Sequence, residues 1–356
     1  MIPHSRPWVG EEEAGAVAAL FRSGWIAEGP EIEAFEAQVA AAQGRRFAVA
    51  ANSGTAALHL ALLALGVGAG DEVLLPSYTC TALLLAVRYT GASPVLVDLE
   101  PGGFHLSAAA ARAKLSRATR AMVVPYTFGF PADPAAYEEL GLPVIGDIAQ
   151  AFGASWQGQP LGKFHTLSIC SFYATKVLTC IQGGAVLADD VELAERCADL
   201  RSYAGREDPQ LRYGYRLGNL NAAVGLVQLG KLPAMLQRRR QIAARYRAAF
   251  SGLPLELPPE VPGSIFYRFP VRVPPENRSA FVQAMADRGI VCGRGVQKPL
   301  HRIMDLPDAA FPTTAAAYAS VVSLPLYPAL TAAEVDQVVA AVVEELPKLR
   351  PQERRK

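Results

Sequence analysis

Short runs of apolar residues alternate with longer helical segments through the first two thirds of the chain. The runs are continuous rather than alternating, which is typical of strands buried on both faces of a parallel sheet. Seven such strands are predicted, at residues 47–50, 72–75, 94–97, 121–124, 143–145, 167–172 and 184–188. Crossover helices are indicated between them, at residues 55–65, 79–89, 107–116 and 133–140. This order predicts an α/β fold, with a three-layer αβα large domain around a mostly parallel, seven-stranded sheet.

The last third of the chain has a different pattern. Residues 220–250 are predicted to form one long helix, and isolated strands and helices follow it after a proline-rich segment. The strands are predicted at residues 267–273 and 290–292, and the helices at residues 279–288 and 332–344. We therefore expect a large domain at residues 1–245 and a smaller C-terminal α+β domain at residues 246–356. The run Arg238-Arg239-Arg240 is interpreted as a solvated helix face rather than an anion site, and the polar tail is expected to fray.

The charge and composition exclude several classes of protein. Of the 356 residues, 34 are Lys or Arg and 33 are Asp or Glu, so the formal net charge is only +1. A nucleic-acid-binding protein is expected to carry a basic excess, and a disordered chain to be less apolar than the 51% found here. No apolar run is long enough to span a membrane, and the first residues lack the layout of a signal peptide, so a cytoplasmic protein is expected. The five cysteines are odd in number and contain no Cys-x-x-Cys pair, which indicates free buried thiols and no metal site.

Two polar segments at the ends of predicted strands are candidates for chemistry. Residues 52–55 (Asn-Ser-Gly-Thr) lie between a buried strand and a helix, where exposed N–H groups and the helix dipole bind phosphate. An ordinary helix cap explains these residues about equally well. Asp147 follows a buried strand at the sheet edge where such folds bind ligands, and with Gln150 nearby it suits a cation such as a protonated pyridine nitrogen. The Asp-x-x-Gln spacing is also that of a capping box, so this pair alone decides nothing.

Lys176 is the third candidate. It is the only Lys or Arg between Lys163 and Arg196, and it lies in an apolar stretch just after a strand. Desolvation of its amine favours the neutral nucleophile and makes it a Schiff-base candidate, although a snorkelling lysine fits its position alone equally well. A phosphate cradle, an acidic partner for a ring nitrogen and a desolvated lysine on one sheet are together what a pyridoxal phosphate (PLP) enzyme needs.

A series of short segments forms a pattern over nearly the whole chain. It includes Asp147-Ile-Ala-Gln150, Ser171-Phe-Tyr-Ala-Thr-Lys176 and the pair Gly183-Gly184. The segments lie at residues 5–7, 23–36, 52–59, 70–79, 91–98, 147–154, 171–176, 183–184, 217–225 and 324–328. Any one of them is weak, but in this order they make the chain resemble the DegT/StrS-type sugar aminotransferases, which have the aspartate-aminotransferase-like fold (fold type I).

The resemblance implies a set of cofactor contacts. Lys176 would bind PLP as a Schiff base, and Asp147 would pair with the pyridine nitrogen. The remaining contacts that it implies are Gln150 beside the ring and, around the phosphate, Ser53, Gly54, Thr55 and Ser171. It also implies a homodimer with two shared active sites, in which Asn219 reaches the phosphate of the neighbouring subunit. Residues 25–30 and 293–301 are expected near the substrate entrance.

Several positions depart from the family. Members usually have an aromatic residue that stacks on the cofactor ring where this chain has Cys80, so either Tyr78 compensates or the ring is held more loosely. The family often reads Glu-Asp-x-Ala-Gln-x-His where Gly146 and Phe152 stand here, and Gly-Glu-Gly-Gly at residues 181–184, where this chain has Ile-Gln-Gly-Gly. These changes leave the lysine and the aspartate in place and bear on the substrate.

The resulting hypothesis is a PLP-dependent aminotransferase. It would pass an amino group from an amino acid, with L-glutamate expected, through the pyridoxamine phosphate form to a nucleotide-linked ketosugar, or alternatively to a keto-cyclitol. A cofactor-binding sensor without turnover is a third alternative, which the altered Cys80, Phe152 and Gln182 favour. The related sugar dehydratases usually replace the lysine with histidine, so Lys176 argues against them. A dinucleotide-dependent enzyme is disfavoured because no Gly-x-Gly-x-x-Gly follows the first strand.

Overall fold

The structure is a computed structural model that describes residues 1–349. Its α-helices are α1 (Glu11–Ser23), α2 (Pro30–Ala42), α3 (Gly54–Ala64), α4 (Thr81–Tyr89), α5 (Ala108–Arg112), α6 (Ala135–Glu138), α7 (Val191–Leu200), α8 (Asn219–Phe250), α9 (Pro275–Asp287), α10 (Leu300–Ile303), α11 (Pro312–Ser320) and α12 (Ala332–Glu345). Its strands are β1 (Phe47–Ala51), β2 (Glu72–Pro76), β3 (Ser93–Val97), β4 (Thr119–Pro125), β5 (Val144–Asp147), β6 (Ser155–Trp156), β7 (Gln159–Pro160), β8 (Leu167–Ser171), β9 (Gly184–Ala188), β10 (Phe269–Arg272) and β11 (Val321–Leu324). Four short 3₁₀ turns add Thr127–Gly129, Leu161–Lys163, Asp308–Ala310 and Leu346–Leu349.

Seven strands form the central sheet, in the order β1-β9-β8-β5-β4-β2-β3. Strand β9 is antiparallel to both of its neighbours, and the other neighbouring strands are parallel. Alternate residues of β1 show why the apolar runs are continuous. Val49 belongs to the apolar cluster that includes α3 and α7 on one face, and Ala48 belongs to the cluster that includes α2 on the other. The predicted α/β fold with a mostly parallel seven-stranded sheet is confirmed.

The carboxyl ends of six parallel strands meet at one edge of this sheet. Strands β1, β2, β3, β4, β5 and β8 all end there, and β9, which runs the other way, begins there. In open α/β sheets this edge is where ligands bind, because the loops that follow the strands converge on it. The connectivity therefore brings together segments that are far apart in sequence.

The C-terminal part of the chain has its own apolar cluster. The antiparallel pair β10 and β11 packs with α9, α12 and the end of α8, and Ile2 from the N-terminus packs into the same cluster. Helix α8 runs without interruption through residue 245, so the division at residues 245 and 246 stays a prediction. The predicted strand at residues 290–292 is wrong, since Ile290 forms only an isolated bridge to Ile2.

Other differences concern short or N-terminal elements. Helices α1 and α2 were not predicted, and α5 ends earlier than expected because Ser116 and Thr119 form a side-chain-stabilised turn (Ser116 N to Thr119 Oγ1, 2.9 Å) that leads into β4. Within residues 1–349, no helix is both long and apolar enough to cross a bilayer. The tail at residues 351–356, which was expected to fray, lies outside the described residues.

Candidate active site

A cavity of about 300 Å³ opens at the carboxyl edge of the central sheet. This volume lies at the lower end of the range typical of small-molecule sites. Eight of the predicted site residues line it together, namely Ser53, Gly54, Thr55, Cys80, Asp147, Gln150, Ser171 and Lys176. These residues follow the ends of four strands, so the fold brings into one cavity side chains that are up to more than 120 residues apart in the sequence.

One wall of the cavity is the N-terminus of α3. The Ser53 hydroxyl accepts the N–H of Ala56 (3.1 Å), so the helix-cap interpretation of this segment holds as well. The Gly54 and Thr55 amides are among the first of the helix, which have no intrahelical acceptor, and the first turn carries no acidic side chain. A Cβ atom at Gly54 would lie only 2.7 Å from Cβ of Ser171. Glycine thus lets the helix terminus and the Ser171 hydroxyl face the same space, as an anion site requires.

Asp147 is buried at the end of β5, and one of its carboxylate oxygens accepts the N–H of Ala149 (2.8 Å). Burial raises the pKa of Asp147 above its ordinary value, and the Ala149 hydrogen bond and the charge of Lys176 oppose this rise. The carboxylate forms no ion pair within residues 1–349. A buried carboxylate beside a cavity and without a contacting cation is complementary to a cationic group of a ligand.

Gln150 and Lys176 complete the polar lining. The Gln150 side-chain oxygen accepts the N–H of Phe128 (2.8 Å), which leaves the amide NH₂ group as a donor toward the cavity. Lys176 lies at the end of a turn, where its N–H donates to the carbonyl of Tyr173 (2.9 Å). Its Nζ lies 5.6 Å from the ring centroid of Tyr267, a residue that sequence reasoning missed. Nothing in the local pattern around Tyr267 signals this contact, because it depends on how the C-terminal part packs.

Tyr78 does not line the cavity, so the expected compensation for Cys80 is wrong. Its side chain is fully buried and packs against Phe104 and Phe128, with ring centroids 6.2 and 6.5 Å away. Burial raises the pKa of the Tyr78 hydroxyl well above its ordinary value. Cys80, by contrast, is exposed and lines the cavity, contrary to the expectation of buried thiols.

Asn219, which is expected at the phosphate of a neighbouring subunit, makes its contacts here within its own chain. Its side chain is fully buried at the start of α8, where Nδ2 donates to the carbonyl of Trp25 (2.7 Å) and to Glu31 (2.5 Å). These contacts hold the loop at residues 25–29 in place. The backbone N–H of Asn219 donates to the same loop, at the carbonyl of Ala27 (3.0 Å). The expected contact with a neighbouring subunit's phosphate stays a prediction.

Two further expectations concern the surroundings of the cavity. Within the described chain, neither residues 25–30 nor residues 293–301 line it, but Leu300 donates its N–H to Ser77 (2.8 Å) in the loop that does. Arg239 is buried rather than solvated, and its Nη1 donates to three backbone carbonyls. The solvated-face interpretation of the basic run is therefore wrong at this position.

The unusual Gly146 and Phe152 have simple packing explanations. A Cβ atom at Gly146 would lie 2.9 Å from Cδ2 of His165, whose ring fills that space and hydrogen-bonds to the Tyr126 hydroxyl (2.8 Å). Phe152 is buried edge-to-face against Phe172 and does not line the cavity. Of the departures from the family, Cys80 and Gln182 are those that face the cavity.

Ile181 lies beside the cavity in a strained conformation. Its φ of +68° is in the left-handed region, which is rare for a β-branched residue, and its side chain is half exposed. The conformation is held by hydrogen bonds from Ile181 N to Thr179 Oγ1 (2.9 Å) and from Gln182 N to the carbonyl of Cys180 (2.8 Å). Glycine, which the family often has here, would adopt this φ without strain.

Ile181→Gly is therefore expected to stabilise the protein by about 1 kcal/mol, because relief of the left-handed strain exceeds the entropy that glycine adds to the unfolded chain. The measurement is the urea midpoint of unfolding. Ile181→Ala is the matched control, since alanine removes the side chain and keeps the strain. Equal midpoints for the glycine and alanine variants would show that no strain is stored at this residue.

Comparisons with known proteins agree with this fold. The model of the DegT/DnrJ/EryC1/StrS aminotransferase family matches residues 7–343. The aminotransferase TlmJ from Streptoalloteichus hindustanus is 33% identical, with a TM-score of 0.93 over 98% of this chain and 100% of that one. The sugar aminotransferase CalS13 from Micromonospora echinospora is 28% identical, with a TM-score of 0.86 over 96% of this chain and 99% of that one. The PLP form of Spr1654 from Streptococcus pneumoniae is 27% identical, with a TM-score of 0.92 over 98% and 99% of the two chains.

Proposed function

Because the chain belongs to the DegT/DnrJ/EryC1/StrS aminotransferase family and is a PLP-dependent aminotransferase, we propose that it moves an amino group from L-glutamate to the keto group of a nucleotide-linked sugar. The observation that carries the proposal is the joint lining of one cavity by Lys176, Asp147 and the N-terminus of α3. The similar CalS13, a sugar aminotransferase, supports the sugar acceptor.

The described residues fit the cofactor. The glycine cradle of Gly54 and the hydroxyls of Ser53, Thr55 and Ser171 suit a phosphate, as the close approach at Gly54 indicates. Asp147 suits the pyridine nitrogen, because a buried carboxylate keeps a neighbouring ring nitrogen protonated. When bound, PLP supplies an electrophilic carbon for amines and a ring that withdraws electrons from the carbon being deprotonated.

Three side chains that line the cavity have separate roles in the proposed reaction. The Lys176 amine would hold the cofactor covalently, and its Nζ, once free, would be placed to take up and return a proton at the carbon of the bound amino acid. The Gln150 amide, oriented by the Phe128 N–H, would donate a hydrogen bond toward the cofactor ring. Cys80 lines the cavity where the family usually has an aromatic residue, so a bound cofactor ring would meet a thiol there rather than a stacking ring.

We also propose a homodimer, which a group of exposed apolar residues supports. Trp25, Tyr203 and Leu211 are 61%, 67% and 72% exposed. The segment that contains Tyr203 and Leu211 continues to Tyr215, whose carbonyl accepts the N–H of Asn52 (2.8 Å) beside the phosphate cradle. A second copy that covers this surface would lie next to the cavity, as a shared active site requires.

The donor half of the reaction gives the direct test. We expect L-glutamate to convert the absorbance of the PLP-loaded protein to that of the pyridoxamine phosphate form within seconds to minutes, and 2-oxoglutarate to accumulate in equal amount. The D-enantiomer is the matched control, because it presents its α-hydrogen to the wrong side of the site. An unchanged spectrum with L-glutamate would contradict the proposed donor.

A further inference from the structure

Tyr267 is held rigidly beside the cavity by the C-terminal part of the chain. It is buried, and its N–H donates to the carbonyl of Phe128 (2.9 Å), whose own N–H donates to Gln150 (2.8 Å). The neighbouring Ile265 N–H donates to Gly129 (3.1 Å). A Cβ atom at Gly129 would lie 2.5 Å from the Ile265 side chain, so glycine permits this close approach. The ring of Tyr267 therefore has a fixed position relative to the cavity wall.

Three cations surround this ring. The distances to its centroid are 5.6 Å from Lys176 Nζ, 4.4 Å from Arg268 Cζ and 5.9 Å from Arg239 Cζ, all within the range of cation–π attraction. Arg268 also donates to the Tyr267 hydroxyl (3.2 Å). Burial raises the pKa of Tyr267, but the charges of Lys176 and Arg268 outweigh this and leave the pKa below its ordinary value.

Acidic groups do not balance these cations directly. Neither Arg239 nor Arg268 forms an ion pair in the described part of the chain, and Nε of the buried Arg239 has no acceptor there. Lys176 also lines a second, very small cavity together with Arg239. The electron-rich ring of Tyr267 is thus the group that attracts the lysine on this side of the site.

We propose that Tyr267 is a positioning residue of the active site, whose ring holds the Lys176 side chain whenever the lysine is not bonded to the cofactor. This inference rests on the proposed role of Lys176. A released lysine has four rotatable bonds, and a fixed ring beside it reduces the conformations in which its amine lies away from the cavity. Tyr267 touches neither substrate nor cofactor in this role and acts through the lysine.

The test follows covalent attachment of the cofactor rather than turnover. Cofactor-free protein is mixed with PLP, and the absorbance of the lysine-bound form is recorded by stopped flow. Tyr267→Leu removes the ring and is expected to slow attachment about tenfold, whereas Tyr267→Phe keeps the ring and is expected to remain within about twofold of wild type. Affinity for pyridoxamine phosphate, which needs no lysine, is expected to stay unchanged in both variants.

Tyr246→Leu is the matched control, since Tyr246 is a buried tyrosine packed against Phe250 and bonded to the carbonyl of Pro325 (2.9 Å), in the C-terminal cluster away from the lysine. It is expected to lower stability and leave the attachment rate unchanged. The inference is overturned if Tyr267→Leu attaches PLP at the wild-type rate, if pyridoxamine phosphate binding weakens in proportion, or if Tyr267→Phe is as slow as Tyr267→Leu. Wild-type protein that never attaches PLP would instead overturn the proposed function.

Discussion

Replacing Lys176 with alanine is expected to prevent covalent attachment of PLP and to lower transamination by at least about 10⁴-fold. The expected loss is large because one amine both attaches the cofactor and moves the proton, and positioned acid–base catalysis alone contributes up to about 10⁴-fold. The fold should tolerate the change, since Lys176 lines the cavity and forms no ion pair in the described part of the chain.

Borohydride reduction followed by peptide mass spectrometry measures the attachment directly. In wild-type protein the cofactor mass should be found on the peptide that contains Lys176, and the Lys176→Ala variant should carry none. Lys163→Ala is the control, because Lys163 is exposed and its amine donates a hydrogen bond, among residues 1–349, only to the nearby Gln159 (3.1 Å). A label on a different lysine, or full activity of Lys176→Ala, would contradict the assignment.

The site residues that could be predicted are those marked by a signal within a short stretch of the sequence. Residues 52–55 and Asp147 directly follow buried strands, and Lys176 stands out because an apolar stretch isolates it. Parallel strands bring their carboxyl ends to one edge, so a correct prediction of the strands is enough to bring these residues together. The same logic explains why the sheet and most of its helices were predictable.

The parts that sequence reasoning missed depend on packing between distant segments. Tyr78 and Cys80 are two residues apart, yet one ring lies in an aromatic core and the other side chain lines the cavity. The side chain of Asn219 donates a hydrogen bond to a loop almost 200 residues earlier in the sequence. Tyr267 lies near Lys176 only because the C-terminal part folds back onto the large sheet. No periodicity or spacing encodes these contacts, since they follow from tertiary geometry.

The net charge of +1 bears on how this site would bind its ligands. The proposed cofactor and acceptor are anions, and the chain as a whole offers no basic surplus to attract them. Their recognition is expected to be local, through helix-terminal amides and a few buried cations, which lose little of their strength to salt. The buried Arg239 and the half-buried Arg268 lie against the Tyr267 ring, which also faces Lys176, and add positive charge on that side of the site.

Asp147→Asn is expected to lower transamination by about 10²–10³-fold, the loss typical of removing one preorganised electrostatic partner. Asparagine keeps the size of the side chain and the acceptor for the Ala149 N–H but cannot hold a proton on the ring nitrogen. Attachment of PLP to Lys176 should persist, so the loss should appear in kcat rather than in cofactor content. Unchanged kcat would show that the ring nitrogen has no need of Asp147.

Although Asp147→Asn is expected to lower activity, it should raise the stability of the cofactor-free protein. Burial raises the pKa of Asp147, so the folded protein holds this proton to higher pH than the unfolded chain does. The wild type therefore loses stability as the pH rises from the ordinary carboxyl pKa through the raised one, and Asp147→Asn, which does not titrate, escapes this loss. The advantage of the variant in melting temperature should be small in acid, should grow across that window and should diminish when PLP provides a cation for the carboxylate.

Asp189 provides a control of opposite sign. Although partial burial raises its pKa, the N–H of Arg46 and the guanidinium of Arg45 outweigh this and hold the pKa below its ordinary value. Its charge therefore stabilises the fold at neutral pH, and Asp189→Asn should lower the melting temperature there while having little effect in acid. If Asp147→Asn also lowers the melting temperature of the cofactor-free protein at neutral pH, the surrounding residues already stabilise the Asp147 charge. The carboxylate would then need no cationic ligand, which contradicts the prediction.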